Sequence, residues 1–250
     1  MIKATLFILL GMALSLNSFA AGFHKEPGPH GMYITQWDLA FPDLHTLQEY
    51  MKVKSADKLI ISTVGSKKVF DVWSASDRKK LSYCISDDFK EKKKDVIEAM
   101  KVATRDWMDV AGVKFIYRKS QDANCTADNT KVMFDVRPVD LGLYLARAFF
   151  PSYERTKRNV LIDSSSFRYS FVAFSGFLRH ELGHVLGFRH EHISPDGNGA
   201  CKELPNFKPL TEYDQHSVMH YPQCGGKNNI ENMILSDLDK DGASEVYPSR

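Results

Sequence analysis

Apolar residues recur along this chain at two different periods. Val96, Met100, Ala103 and Trp107 follow one another at spacings of four, three and four, which predicts an amphipathic helix. Asp87 or Asp88 can cap its start and Gly112 suits its stop. Before it, KLSYCIS alternates as a strand does, and VKFIYRK, KVMFDVRPV, LYLARAFF and NVLIDSS read as further strands. One long helix among short strands indicates an α+β or mixed α/β lobe. Upstream, DLHTLQEYM is helix-like, and KLIISTV and KKVFDVW are short strand candidates. Downstream, SGFLRHELGHVLGF carries Phe177, Leu178, Leu182, Val185 and Leu186, so it reads as a largely buried helix. Neither internal repeats nor low-complexity tracts occur.

The first twenty residues differ from all this. One lysine precedes an apolar run from Ala4 to Leu14, and small residues follow at Ser18 and Ala20. That predicts a signal peptide, residues 1–20, and export to the extracellular space or the periplasm. The run is short for a membrane span, so no stable membrane insertion is expected. About 230 residues would remain, enough for one two-lobed domain or a domain with an extension. Lys and Arg number 33 against 31 Asp and Glu, and this near balance gives no sign of a nucleic-acid partner. The run KEKKK, Lys90 to Lys94, reads as a solvated face. Four cysteines in an exported chain favour two disulfides, with Cys84–Cys125 and Cys201–Cys224 preferred because each pair would staple a separate lobe. In the chain-entropy model each contributes roughly 3–4 kcal/mol. No Cys-x-x-Cys pair suggests a cysteine zinc site.

The densest chemistry lies in HELGHVLGFRHEH, residues 180 to 192. His180 and His184 are one helical turn apart and project from one face, where two imidazoles can share a zinc ion. Glu181, beside the first histidine, can reach a water on that metal without joining the ligands. Gly187 permits the positive φ that ends the helix, and His190 can then return as a third ligand. His192 falls outside this spacing and is expected at the surface or behind the ligands.

The segment resembles the zinc-binding consensus of the metzincin metalloendopeptidases, and its Gly-Phe-x-His-Glu ending resembles the astacin branch. SVMHY, Ser217 to Tyr221, resembles the astacin Met-turn. The resemblance implies that Met219 sits beneath the metal and that Tyr221 is a movable zinc ligand. LARAFFP resembles the edge strand that lines the cleft, which assigns substrate binding to Ala146, Arg147 and Ala148. LSDLDKDGASEVY resembles the end of an astacin catalytic domain. The implied fold is α+β: a metzincin-like catalytic domain with a mixed twisted sheet, long helices, an active-site helix and a smaller C-terminal lobe holding the Met-turn. Residues 21–76 would be a propeptide or N-terminal extension and 77–250 the catalytic domain, with lobes of about 77–187 and 188–250.

Two departures qualify the resemblance. HISPDG lacks the arginine and acidic residues usual after the astacin motif, and no cysteine-switch sequence precedes Lys80. VFDVW is similar to the segment carrying the aspartate of astacin propeptides, which would place Asp71 on the zinc; an ordinary strand aspartate is the alternative. Asp237-Leu-Asp239-Lys-Asp241-Gly242 begins like a calcium loop, but its twelfth position is Pro248. The expected function is a secreted, monomeric endopeptidase with one Zn2+, acting on protein or peptide substrates. Glu181 would serve as general base and Tyr221 would help stabilise the oxyanion. A zinc amidase acting on other amides, or a non-catalytic binding protein on the same fold, remain as alternatives.

Overall fold

The parallel part of the main sheet is built from β-branched and aromatic runs that one helical layer buries. A computed structural model describes residues 23–35, 38–51, 60–64, 69–193 and 207–249. The sheet combines β6 (Leu81–Ile85), β7 (Phe115–Tyr117), β8 (Phe134–Val139), β9 (Ala146–Arg147) and β10 (Asn159–Asp163), in the order β7-β6-β8-β10-β9. The first four in that order run parallel, and β9 closes the edge antiparallel to β10. Strands β8 and β10 bury Phe134, Val136, Val160 and Ile162 completely, as fits strands with a covered face. The long helix α2 (Lys93–Val110) lies against α3 (Phe171–Val185), and the indole of Trp107 donates to the Arg179 carbonyl at 2.8 Å across that contact. This is a mixed α+β fold.

Some local expectations change. The segment read as the strand LYLARAFF is extended as β9 for only two residues. Pro151 has no amide to continue a ladder, and the Ala148 amide is used by Glu181 instead. The start of the α2 region is capped by Ser86, whose hydroxyl accepts from the Asp88 amide over a 3-10 turn, Asp87–Lys92. Gly112 does not end α2 by a left-handed cap. A Cβ there would stand 2.3 Å from the Pro248 carbonyl oxygen, so glycine lets the chain end approach α2. The calcium-loop-like segment is a helix, α4 (Asp237–Val246), which Ser236 and Asp239 start as a capping box.

Among the described residues, those before Lys80 contribute to two small sheets. β1 (His24–Lys25), β2 (Tyr33–Thr35) and β3 (Leu39–Phe41) make an antiparallel meander, followed by α1 (Leu44–Met51). β4 (Ile60–Val64) pairs with β5 (Val69–Phe70) and with β11 (Phe207–Pro209) from the C-terminal part. Met32, Ile34, Leu39 and Leu47 join the same core as the main sheet. Cys84 and Cys125 are disulfide-bonded, with 5.6 Å between their Cα atoms. Cys224 is also disulfide-bonded; Cys201, its expected partner, lies outside the described residues, as does the segment read as a signal peptide. No helix among the described residues is long and apolar enough to cross a membrane.

Candidate metal centre

α3 starts at Ser170, whose hydroxyl accepts from the Ala173 amide, and it ends where Gly187 turns with φ of 97°. The glycine has a second reason. A Cβ there would lie 2.2 Å from the Asp71 carbonyl oxygen. The turn brings His190 back against His180 and His184, and all three are almost wholly buried.

Each helix histidine is held from behind. His180 Nδ1 lies 2.7 Å from the Val218 carbonyl and His184 Nδ1 lies 2.8 Å from that of Phe188. A carbonyl can only accept, so both Nδ1 atoms carry the proton and both Nε2 atoms offer lone pairs inward. His184 Nε2 lies 3.1 Å from His190 Nε2. Burial, then the neighbouring His190 and His180, push the His184 pKa down to about 3, so this ring stays neutral.

A fourth group comes from the N-terminal segment. Asp38 is buried and reaches His190 Nε2 at 3.1 Å, His180 Nε2 at 3.5 Å and His184 Nε2 at 3.9 Å. One atom from each of these four residues lies within 4.8 Å of the others. Burial opposes a charged Asp38, but His190 and His180 facing it hold its carboxyl well below the usual range. Despite the short separations, His180 Nε2 and Asp38 Oδ1 make no hydrogen bond. Four buried ligand-type groups crowded around one point suit a cation, and three imidazoles with a carboxylate suit zinc.

Glu181 opens onto the same space. Burial first, and Asp38 second, raise its pKa well above the ordinary value, while one carboxylate oxygen accepts from the Ala148 amide and Oε2 has no hydrogen bond. Tyr221 stacks on His180 at 5.3 Å between ring centroids and lies 4.3 Å from His190. His192 is not at the surface: it is buried and stacks on His190 at 5.1 Å, outside the group of four. Met219, in the turn after Ser217, packs under α3, and its carbonyl accepts from the Glu191 amide at 3.0 Å. A cleft of about 300 Å³ joins Asp38, Tyr144, Ala146, His180, Glu181 and Tyr221. Ala146 and Arg147 form the sheet edge beside it, but the Arg147 side chain is buried against Glu26.

Asp71 is not in this site. Its carboxylate accepts from the Ser152 amide at 2.7 Å and hydroxyl at 2.8 Å, and Asp38 occupies the place considered for it. Sequence reasoning missed Asp38, a lone acid followed by Leu39, Ala40 and Phe41. The one available signal was an unpaired acid beside an apolar run.

The matrixin peptidase family matches residues 72–196 of the chain. No curated protein matches it. Two solved structures of myroilysin are similar. One superposes with a TM-score of 0.53 at 15% identity, covering 76% of this chain and 99% of the other. The second gives 0.50 at 16% identity, covering 80% and 93%. At such identities the likeness concerns the fold.

Proposed function

The chain belongs to the matrixin family of peptidases, and from that premise we propose that it is a zinc-dependent endopeptidase kept latent by its own N-terminal arm. One observation carries the reading: three buried imidazoles converge within one group, and one of them, His180, opens with Glu181, whose Oε2 has no hydrogen bond, onto the cleft. His180, His184 and His190 would hold zinc, and bound zinc supplies a Lewis acid that makes water a usable nucleophile near neutral pH. Glu181 accepts the proton of the attacking water and returns it to the departing amine. Burial and its low local polarity favour that role, since they bring a carboxylate's pKa toward neutrality. The Tyr221 hydroxyl helps stabilise the oxyanion. Met219 is the Met-turn residue. The edge at Ala146 to Ala148 pairs with the substrate backbone as an added strand.

Residues 21–76 act in this reading as a propeptide. Asp38 stands where substrate must approach, so the arm has to leave before catalysis. Export after cleavage near Ala20 belongs to the same proposal.

Glu181→Gln tests it. The amide keeps size and hydrogen bonding but cannot take a proton. Zinc content should stay near that of wild type while peptide cleavage by the activated chain falls at least about 10²-fold. Near-normal cleavage at equal zinc would remove Glu181 from the mechanism.

A further inference from the structure

Glu26, in the arm, is only 4% exposed, and Arg147, in the edge strand β9, only 1%. Arg147 Nε donates to Glu26 Oε1 at 2.8 Å and Nη2 to Oε2 at 2.6 Å, a two-pronged contact. The Tyr144 hydroxyl donates to Oε1 as well, and the Met32 amide donates to Oε2 at 3.0 Å. Three of these four donors belong to Tyr144 and Arg147, outside the arm. Asn159 fixes the guanidinium from behind, since Nη1 donates to both its carbonyl and its side-chain oxygen. This is a preformed receptor for one carboxylate.

Its position gives it a use. Tyr144 lines the cleft that holds His180 and Glu181, and Arg147 sits in the strand bordering that cleft. A second cavity of about 240 Å³ lies on the Arg147 side, between Leu141, Leu161 and Asn159 on one wall and Glu26 to Gly31 on the other. When the arm leaves, its wall and its carboxylate leave together. Arg147, still oriented by Asn159, then faces that space without the carboxylate it pairs with directly, and a buried guanidinium is costly to leave unpaired.

We propose that Tyr144 and Arg147 form a subsite for an acidic side chain of the substrate, and that Glu26 occupies it in the latent chain. The proposal rests on the reading of the arm as removable. An extended substrate lying along β9 turns alternate side chains to the two faces of the sheet edge, so one of them is presented to Arg147 while the scissile bond lies at Glu181. Glutamate suits the site better than aspartate, because the occupant it replaces is a glutamate.

The test uses the full chain, nicked by limited proteolysis and freed of its arm, with two readouts. First, a fluorescent peptide of residues 23–35, which lacks Asp38, is compared with its Glu26→Gln counterpart in a binding titration. Second, peptide substrates are paired so that they differ only by Glu or Gln at one position at a time. The expected result is at least about tenfold tighter binding of the Glu26 peptide, and at least about tenfold higher kcat/KM for Glu over Gln at one substrate position. Both ratios should fall to near one in Arg147→Gln. Because Glu26→Gln changes only the peptide, the first comparison does not depend on how that protein variant folds. Discrimination by the arm peptide without discrimination among substrates would make the site a latch alone and overturn the proposal. Equal cleavage of Glu and Gln substrates at every position also overturns it, with the endopeptidase reading intact. A chain that cleaves neither member of any pair overturns both.

Discussion

The sulfur of Met219 lies against the bare backbone of Gly183, so close that a Cβ on that glycine would stand 2.3 Å from it. The same Cβ would come 3.1 Å from the methionine methyl and 3.3 Å from the Trp107 ring. The glycine just before the motif's second histidine therefore sets how tightly the turn at Ser217–Tyr221 can sit under the metal centre.

Gly183→Ala sets two effects against each other. Alanine favours the helix by about 1 kcal/mol, whereas overpacking a filled core costs about 1–3 kcal/mol. Met219 could swing its flexible end aside, but it is fully buried, and Trp107 is pinned by its bond to the Arg179 carbonyl and its stacking on Phe188. Overpacking should win. The variant is expected to unfold about 2–6 °C below wild type. Thermal denaturation with zinc present checks this, and an unchanged or higher Tm would show that Met219 has room.

Asp38→Ala should weaken latency. The carboxylate that faces three histidines is removed, while Glu26 still ties the arm to Arg147. Full-length variant with its arm uncut should cleave a peptide at least about tenfold faster than uncut wild type, a change of about 1.4 kcal/mol. Electrophoresis of the same samples shows whether the arm is intact. Equal rates would mean that Asp38 does not restrain the site. Asp71→Ala, by contrast, should leave uncut chains as inactive as wild type.

How much of this was legible in the sequence depends on how local each signal is. Helix α2 shows in a period of 3.6 because one buried face repeats along it, whereas the helix around His180 and the strand β10 show as apolar runs because they are buried nearly all round. His180 and His184 meet through a single turn, and Gly187 marks the reversal that returns His190. Asp38 carries no such mark. It reaches the histidines through the meander β1–β3, and nothing in its neighbours encodes that long-range contact. The edge-strand resemblance assigns Arg147 to the cleft lining. Its burial against Glu26 depends on which face of a two-residue strand it takes, which LARAFFP does not reveal. The segment from Asp237 resembled a calcium loop because its acids recur at every second residue. Ser236, three positions before Asp239, was the counter-signal for a helix start.

His190→Ala and His192→Ala separate a ligand from a packing residue. Both rings are buried and they stack on each other, so burial alone does not distinguish them. Only His190 has its Nε2 in the group shared with His180, His184 and Asp38. His190→Ala should weaken zinc binding by more than about 10²-fold, whereas His192→Ala should cost no more than the 10- to 100-fold typical of groups behind the ligands. Competition with a chromophoric chelator measures both. Equal losses would show that the ligand register is wrong.

Asp71 should give the fold a distinctive pH dependence. Burial pushes its carboxyl up to about 6, against the opposing bonds from Ser152 and the charge of Arg158. In the unfolded chain an aspartate titrates near 3.9. Between these values the folded state holds a proton that the unfolded state has lost, so stability from this group falls as pH rises. Its contribution is complete below about pH 4 and is lost as pH passes through about 6. Two pKa units correspond to about 3 kcal/mol, and the residue is buried enough for little screening. Asp71→Asn cannot titrate and lacks this slope. The neutral amide can still accept one bond from Ser152, so the variant should fold. The stability of wild type minus that of the variant should therefore decline by up to about 3 kcal/mol between pH 4 and pH 7. Denaturant titrations of the two full-length chains at pH 4, 5.5 and 7 measure the difference directly, and other titrating groups cancel between them. A difference that stays flat across those three values would show that Asp71 ionises in the folded chain as it does in the unfolded one. A difference that rises with pH would mean that the Ser152 bonds and Arg158 outweigh burial.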